Sequence, residues 1–469
     1  MDLRWKPAPP DRRHVRSELS QEPGGTAMVT QTRFDSVRHA LAQAHFADAL
    51  RLLGDPRDDV EALALAGQAL SGLRQFDRAA ARYGEALRRA PDRFDLMSNL
   101  GSVLVDLDRF GDALALFQQA RAAAPRNARV VANLANLLDF AGALDDALVA
   151  YAAARALDPQ DAEIARNQAM TLLRAGRLAE GWPLFEHRRR AIDPAEATVP
   201  GLPPLSQAPS LAGKRILLFH EQGFGDTLQM LRYVPLLAAR GAELLLRVPP
   251  ALARLTAAVA GVASVLGADD TPERLDYQAP LMSLPLIFAT TLDSIPATMP
   301  YLRADPGAAA AWADRLAGLP QPRIGLVWAG SPTGGLDHRR SMRFADLLPL
   351  FAVPAGWVSL QIGPAAAEWD PPGTAAALDA TPWIVDFADT AALLSQLDLL
   401  ITVDTSVAHL GAALGRPVWL LSRFSACWRW LMAREDSPWY PTLRVLRQAR
   451  PGHWAPPVAE AARRLAAGV

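Results

Sequence analysis

The stretch FDRAAARYGEALRRAP at residues 76–91 returns as FGDALALFQQARAAAP at residues 110–125 and as LDDALVAYAAARALDP at residues 144–159. Each copy begins 34 residues after the one before, and each has an apolar residue, a small residue, an aromatic residue and a final proline at matching positions. The small residues let paired helices approach closely, and the proline ends a helix because it cannot donate the next hydrogen bond. A period of this length predicts a stack of helix pairs.

The pattern resembles the tetratricopeptide repeat, whose period is also about 34 residues. The resemblance implies an α-helical solenoid over residues 31–190, with full repeats at 59–92, 93–126 and 127–160, a diverged fourth repeat to Arg190, and a shorter helix pair before them. Such an array builds a concave surface that holds a partner. We expect this surface to bind a protein or glycan acceptor, with self-association into a homodimer as the alternative.

Composition argues against several classes of protein. In 469 residues, 48 Lys and Arg nearly balance 49 Asp and Glu, so the net charge of −1 gives no general attraction to nucleic acid. No stretch approaches the roughly eighteen continuous apolar residues that suggest a membrane span. The single cysteine, Cys427, fits a reducing compartment. We therefore expect a cytoplasmic protein without a membrane span or a nucleic-acid partner.

The segments on either side of the array lack helical periodicity. Residues 1–30 are rich in Pro, Arg, Glu and Gly, so we expect them to be disordered, and Met28 is an alternative start of the chain. Residues 191–213 carry several prolines and are expected to form a linker.

After Lys214, short apolar runs alternate with amphipathic stretches, which predicts an α/β region with parallel sheets. The predicted strands are 216–219, 243–248, 323–328, 357–361, 399–403 and 417–421. The predicted helices between them are 226–240, 250–260, 344–350, 390–397 and 406–414. A proline-rich stretch at 292–306 divides the region, so we expect two Rossmann-like halves, 214–305 and 306–469, with a ligand cleft at the facing strand ends.

The glycine turn, His220–Thr227, follows the first of these strands. Gly223 and Gly225 allow a tight turn and close approach of a ligand, and a helix that begins at Asp226 presents free amide groups. The turn lacks the G-x-G-x-x-G pattern and the Walker lysine, which disfavours ordinary NAD or ATP binding. Asp226 as a simple helix cap explains the same residues about as well.

The Asp-Thr-Ser turn, Val403–His409, lies where a buried strand gives way to a helix. Thr405 and Ser406 supply hydroxyl and amide groups at the positive end of that helix, and His409 follows one turn later on the same face. This arrangement suits a diphosphate. The alternative is that Asp404 and Thr405 cap the helix and that His409 is a buried histidine with satisfied hydrogen bonds.

Two further groups are candidates for the same ligand. Ser331 follows a predicted strand and Arg340 lies just beyond it, so this loop suits a phosphate, although surface arginines are common. Several aromatic residues gather near the end of the second half, and they suit either a stack on a nucleotide base or sugar or a seam between the halves. They are Trp428, Trp430, Trp439 and Tyr440.

Together, the two turns resemble those of the heptosyltransferase-like glycosyltransferases, over roughly residues 214–469. The stretches EQGFGDTLQ, ITVDTSVAHL and SPWYP are similar to stretches in bacterial proteins that fuse tetratricopeptide repeats to such a domain. The resemblance implies a GT-B fold of two Rossmann-like halves. Residues 214–305 would then form the acceptor half, and residues 306–469, with a C-terminal helix, the nucleotide-sugar half.

The resemblance also implies residue roles. Asp226 would be the catalytic base, while Asp404, Thr405 and His409 would hold the diphosphate of a nucleotide-sugar donor. Ser406 stands where that family usually has glycine. We expect no bound cofactor and no metal ion, because no Asp, His or Cys set in this region has metal-ligand spacing. A non-catalytic scaffold with a degenerate transferase-like domain is the alternative from another class.

Overall fold

The computed structural model describes residues 26–54, 59–191, 199–267, 270, 272, 274–332 and 337–468. The chain forms two compact units, and the boundary between them falls between Thr171 and Leu172. The expected disorder of residues 1–25 lies outside the described residues.

The first unit is a solenoid of helix pairs. Its helices are α1 (Thr26–Ala42), α2 (Phe46–Leu53), α3 (Val60–Gly72), α4 (Phe76–Arg89), α5 (Phe94–Asp106), α6 (Phe110–Ala123), α7 (Ala128–Phe140), α8 (Leu144–Leu157) and the start of α9 (Ala162–Arg174). Residues 26–30 are helical, so the prediction that they are disordered is wrong. The sequence has no glycine or proline between Gly25 and Gly54 to prevent the helix from beginning there.

The period of 34 has a direct packing cause. The ring of Phe117 on α6 is fully buried against Gly101 on α5, where an added Cβ would lie 2.9 Å from a ring carbon. Successive first helices are also joined by buried side-chain hydrogen bonds, since Asn133 Nδ2 donates to Ser98 Oγ at 2.9 Å. The small residues of the repeat therefore set how closely the aromatic residues pack.

The second unit is an α/β region with two sheets. The four-stranded sheet has the order β3-β2-β1-β4, and the seven-stranded sheet has the order β10-β11-β9-β8-β5-β6-β7. The strands are β1 (Arg215–Phe219), β2 (Glu243–Arg247), β3 (Val262–Leu266), β4 (Tyr277–Pro280), β5 (Arg323–Val327), β6 (Gly356–Ser359), β7 (Ala376–Asp379), β8 (Leu399–Val403), β9 (Val418–Ser422), β10 (Asp436–Ser437) and β11 (Tyr440–Arg447). All neighbouring strands pair in parallel except β10 and β11.

Helices connect these strands and cover the sheets. They are α10 (Leu178–Phe185), α11 (Arg188–Ala191), α12 (Phe224–Met230), α13 (Val234–Ala238), α14 (Pro250–Ala257), α15 (Leu284–Ile287), α16 (Pro306–Leu316), α17 (Asp337–Arg340), α18 (Phe387–Leu394), α19 (Ser406–Ala413) and α20 (Ala455–Ala466). The helix predicted at 226–240 is instead α12, a 3-10 turn and α13, and Pro235 is the second residue of α13. The helix predicted at 344–350 is a 3-10 helix from Phe344 to Ala352 that contains Pro349.

Each sheet has a point where the direction of strand addition reverses. The chain adds β2 and β3 on one side of β1 and then crosses to place β4 on the other side. It likewise adds β6 and β7 on one side of β5 and then places β8 on the other. The crevices at the carboxyl ends of β1 and β4, and of β5 and β8, are where open α/β sheets bind ligands.

Part of the predicted linker belongs to the second unit. The side chain of Gln278 on β4 accepts a hydrogen bond from Val199 N at 2.9 Å and donates to the carbonyl oxygens of Val199 and Leu202 at 2.8 and 2.9 Å. Leu205 is buried. Residues 199–213 therefore do not act as a free linker, because their backbone and an apolar side chain are held on the sheet.

The second unit also contains α10 and α11, although the sequence repeat that includes them runs to Arg190. The indole N–H of Trp182 donates to Thr290 O at 2.9 Å, and its ring packs edge-on against Trp428 at 5.4 Å.

No helix in the described part of the chain is both long enough and apolar enough to cross a lipid bilayer.

Candidate active site

The glycine turn connects β1 to α12. The helix begins at Phe224, two residues earlier than predicted, so Asp226 is its third residue. The Oδ2 atom of Asp226 accepts a hydrogen bond from the Gly223 amide at 2.8 Å. The turn is held further by His220, whose Nδ1 atom lies 2.7 Å from Thr227 Oγ1. Asp226 therefore does stabilise the start of this helix, but through the amide of Gly223 rather than as the residue that precedes the helix.

The other oxygen of Asp226 is paired with Arg429, which lies on a 3-10 helix of residues Trp428–Trp430 beyond β9. Arg429 Nε also donates to Gln229 Oε1 at 2.7 Å, and its Nη1 atom lies 2.9 Å from Cys427 Sγ. Asp226, Gln229 and Arg429 are all buried. The carboxylate predicted to be a base is thus one half of a buried ion pair between two segments 203 residues apart.

This pair fixes the charge of Asp226. Burial raises the pKa of the carboxyl group, but nearby positive charge, first that of Arg429, and the hydrogen bond from the Gly223 amide act against burial, and the pKa lies below its ordinary value. Asp226 is therefore ionised at neutral pH. Because each carboxylate oxygen has two acceptor positions, the engaged oxygens retain acceptor capacity.

The Asp-Thr-Ser turn connects β8 to α19. Thr405 directly precedes the helix, and its hydroxyl lies 3.2 Å from that of Thr402. Asp404, Thr405 and Ser406 are only partly buried. The first amide groups of α19 therefore lie at the carboxyl edge of the seven-stranded sheet, at the crevice between β5 and β8.

His409 lies deeper than the residues that precede α19. Its Nδ1 atom is 2.9 Å from the Tyr440 hydroxyl, and its ring stacks on Trp430 at 5.1 Å with an interplanar angle of 28°. A Cβ added to Gly225 would lie 2.7 Å from Cδ2 of His409. The two predicted turns therefore meet at this contact, and His409 is buried in it rather than exposed beside Thr405 and Ser406.

The surroundings keep His409 uncharged. Burial, followed by the positive charge of Arg429, lowers the pKa of His409 to about 3, and the nearby Asp226 opposes this only in part. At neutral pH, His409 therefore offers a neutral ring to whatever binds nearby.

The loop after β5 contributes the remaining candidates. The Gly330 amide donates to Ser341 Oγ at 2.9 Å, and Arg340 Nε donates to Asp337 Oδ1 at 3.0 Å. Arg340 Nη1 lies 3.5 Å from the carbonyl oxygen of Asp404. This contact joins the loop that contains Ser331 and Arg340 to the Asp-Thr-Ser turn, and residues 333–336 of the loop lie outside the described part.

The aromatic group forms a buried seam. Trp428 packs against Trp439 at 5.8 Å, and both rings contact Trp182. Trp430 and Tyr440 contact His409. All four aromatic residues of this group are buried, which supports the seam over a stack on an exposed ligand.

Sequence reasoning did not single out Arg429, Gln229 or Arg232. Arg232 is buried and donates to the carbonyl oxygens of Gln229 at 2.8 Å, Trp439 at 2.8 Å and Pro296 at 3.1 Å. Its guanidinium also lies over the ring of Tyr440 at 4.7 Å. Gln229 ends the stretch EQGFGDTLQ noted above, and Arg429 stands between two tryptophans of the aromatic group. Only the folded chain brings these residues together. Among the described residues, no group of three or more His, Cys, Asp or Glu side chains is arranged to hold a metal ion.

Comparisons with known proteins identify the helical part. Models of the tetratricopeptide repeat match residues 64–128 and 104–171. Solved structures with similar chains include MamA of Desulfovibrio magneticus RS-1 from residue 41 to its end (24% identical, covering 35% of this chain and 96% of that chain, TM-score 0.30). They also include a thermophilic tetratricopeptide repeat protein of Thermus thermophilus (22% identical, covering 34% of this chain and 90% of that one, TM-score 0.32). The repeats are tetratricopeptide repeats and support a protein-interaction scaffold.

A curated sequence relative is protein FlbA of Caulobacter vibrioides, which is 28% identical over 315 residues. The match covers 60% of this chain and 51% of FlbA, so this chain spans about half the length of that relative.

Proposed function

We propose that the second unit is a GT-B-like glycosyltransferase that moves a sugar from a nucleotide-diphosphate donor to a hydroxyl acceptor. The observation that carries the proposal is the contact between Gly225 and His409. It joins the turn after β1 to the helix after β8, and each of these strands borders the ligand crevice of its own sheet. Two facing crevices suit a reaction between two substrates.

The residues around the crevices take distinct roles in this reaction. The acceptor oxygen attacks the anomeric carbon, the bond from that carbon to the diphosphate breaks, and Asp226 takes the acceptor proton. The amide end of α19, the hydroxyls of Thr405 and Ser406, and the Arg340 guanidinium would stabilise the negative charge of the departing diphosphate. The Asp404 carboxylate has the same charge as the diphosphate, so Asp404 would contribute through its backbone carbonyl, which contacts Arg340. Gly223 would let the backbone approach the donor closely, and the Ser331 hydroxyl would bind a phosphate oxygen. Gly225 would act through the room that it leaves for His409. His409 would stay uncharged and would hold the glycine turn in place through its contact with Gly225.

The acceptor is proposed to be a polypeptide chosen by the repeats. A stack of helix pairs has room for an extended segment, and weak binding there would raise the local concentration of the acceptor. The alternatives are a glycan or lipid acceptor, with the repeats used for self-association.

A non-catalytic scaffold is the second candidate, and one observation favours it. The Asp226 carboxylate is already engaged by Arg429 and the Gly223 amide, as a residue kept only for stability would be. The repeats by themselves are suited to binding a protein.

Product formation separates the two candidates. The full chain should be incubated with UDP-, GDP-, ADP-, CMP- and dTDP-sugars, and release of the free nucleotide should be measured by chromatography. We expect slow hydrolysis of one donor, unaffected by EDTA and reduced by roughly 100-fold or more in Asp226→Asn, the scale on which a general base contributes. Absence of release from every donor would favour the scaffold, and loss of release in EDTA with recovery on addition of magnesium would contradict the metal-independent mechanism.

A further inference from the structure

The final repeat contributes a buried arginine to the crevice at the carboxyl ends of β1 and β4. Arg188 opens α11 and has 1% of its surface exposed. Its Nε and Nη2 atoms donate to Glu221 Oε1 at 2.9 and 2.6 Å, and Nη2 also donates to Ser283 Oγ at 2.8 Å. Its Nη1 atom donates to Glu186 Oε1 at 2.6 Å. One guanidinium thus binds three side chains.

These partners mark the two sides of the crevice in the four-stranded sheet. Glu221 follows β1 and belongs to the glycine turn, five residues before Asp226. Ser283 follows β4, the strand on the other side of the switch point, and its hydroxyl donates to Glu186 at 2.8 Å. Arg188 and Glu186 therefore link the loops that border the crevice.

Electrostatics make Arg188 necessary to this arrangement. Burial raises the pKa of Glu221, and the negative charges of Glu186 and Asp226 raise it further. The positive charge of Arg188 and its hydrogen bond to Glu221 lower this pKa and so oppose the rise. Without the Arg188 guanidinium, three carboxylates that are buried or partly buried would lie close together: Glu221, Glu186 and Asp226. Arg429 would balance the charge of Asp226, and the ion pairs of Glu221 and Glu186 with Arg188 would be lost.

The hydrophobic anchor next to Arg188 keeps it in place. Phe185 packs against Trp428 at 6.5 Å, and its ring also lies 4.7 Å from the Arg188 guanidinium. The carbonyl oxygen of Phe185 accepts a further hydrogen bond from Arg188 Nη1 at 3.2 Å. The segment cannot move without breaking these contacts.

We propose that Arg188 is a positioning residue for the glycine turn, so that the candidate site is incomplete without the last helices of the repeat region. The proposal goes beyond glycosyl transfer and does not depend on it. In this chain the repeats do more than bind a partner, because their final segment holds the turn that contains Asp226.

Hydrogen exchange measured by mass spectrometry on the full chain tests the proposal. The variants are Arg188→Ala, Arg188→Lys and the matched control Arg189→Ala, whose side chain lies one position later and is exposed. In Arg188→Ala we expect the amides of residues 220–227, including the Gly223 amide that donates to Asp226, to exchange roughly tenfold faster or more, because a local opening becomes easier. Peptides from α20, residues 455–466, should be unchanged, because this helix packs against β9 and β11 of the seven-stranded sheet rather than on the glycine turn. Arg188→Lys should recover part of the protection, and Arg189→Ala should resemble the parent.

The proposal is overturned if folded Arg188→Ala shows parental exchange at 220–227, or if exchange rises equally at 220–227 and 455–466, which would indicate general destabilisation. If Arg188→Ala does not fold, Glu221→Gln decides the question, since it removes the charge on the turn and leaves Arg188 its bonds to Ser283 and Glu186. Faster exchange confined to 220–227 in that variant supports the proposal, and parental exchange overturns it.

Discussion

The ion pair between Asp226 and Arg429 determines what the candidate site can do. Both groups are buried, and Arg429 is fixed from two further directions by Gln229 and Cys427. A buried pair contributes little net stability relative to apolar residues, but removal of one partner leaves an uncompensated charge. A change at Asp226 should therefore alter the free energy of unfolding as well as any chemistry at the site.

Asp226→Asn and Arg429→Gln should each destabilise the α/β unit by about 3–5 kcal/mol, the cost of breaking a buried pair from one side. The double variant should lose much less than the sum of the two, because no charge is left unpaired. Denaturant unfolding followed by tryptophan fluorescence measures this, since Trp428 adjoins Arg429. The exposed pair of Arg434 and Asp436 is the control, and Arg434→Gln should change little. Strict additivity of the two buried changes would show that they do not interact.

His409 should make the unit less stable in acid. Its pKa is about 3 in the folded protein and 6.5 ordinarily, so the unfolded chain takes up a proton below pH 6.5 that the folded chain refuses. The free energy of unfolding should therefore fall as the pH drops from about 6.5 towards 3, by up to about 1.4 kcal/mol per pH unit. The lowered pKa of Asp226 acts in the same direction, but only below about pH 4.

The measurement compares the parent with His409→Gln by denaturant unfolding at pH 7, 6 and 5. The variant should show a flatter dependence on pH over this range, because glutamine does not titrate. An unchanged dependence would mean that other histidines, among them His220 with its lowered pKa, account for the acid sensitivity.

At the scale of the elements, the contact between α12 and α19 is a close constraint on the site. Gly225→Ala would put a Cβ 2.7 Å from the His409 ring, which Trp430 and Tyr440 hold in place. We expect a loss of about 1–3 kcal/mol, the usual cost of overpacking, together with weaker donor binding. Gly318→Ala is the control, since a Cβ there meets no atom within 4 Å. Equal stability of the two variants would contradict the close approach of the two helices.

The same elements show how far a sequence predicts this structure. The strand Leu399–Val403 was predicted with its observed bounds, because a continuous apolar run ends abruptly at Asp404. β11 was not predicted, since Pro441 and two arginines interrupt its apolar pattern, and its pairing with β9 on one side overrides that local signal.

In the candidate site, too, the sequence predicts some features and not others. Strand-to-helix turns in parallel sheets were expected at the carboxyl edges, so the glycine and Asp-Thr-Ser turns could be placed from sequence. The partners of Asp226 could not be placed, because Arg429 lies 203 residues away and comes from a 3-10 helix without a periodic pattern. Likewise, the burial of His409 depends on Tyr440 and Gly225, which no local spacing connects to it.

For the whole molecule, the boundary between the two units, rather than the end of the sequence repeat, determines which shortened chains should fold. Because Trp182, Phe185 and Arg188 are buried in the α/β unit, a chain that begins at residue 192 should fail to fold, whereas one that begins at Leu172 should fold. The check is soluble expression followed by a thermal melt. Cooperative unfolding of both chains at similar temperatures would show that α10 and α11 are dispensable.

The chain that begins at Leu172 also tests the role of the repeats. If they select the acceptor, this chain should retain donor hydrolysis and lose modification of the natural acceptor. Modification at the parental rate would instead favour self-association as the purpose of the repeats.

Calorimetric titration of the full chain with UDP, GDP, ADP, CDP and dTDP tests the central claim that the crevice between β5 and β8 binds a nucleotide diphosphate. We predict that one of them binds with one-to-one stoichiometry, and that Thr405→Ala and Arg340→Ala each weaken it by about 1–3 kcal/mol. Arg343→Ala should bind as the parent does, because that side chain is largely exposed. Absence of binding by all five nucleotides, or binding that neither Thr405→Ala nor Arg340→Ala weakens, would contradict the claim.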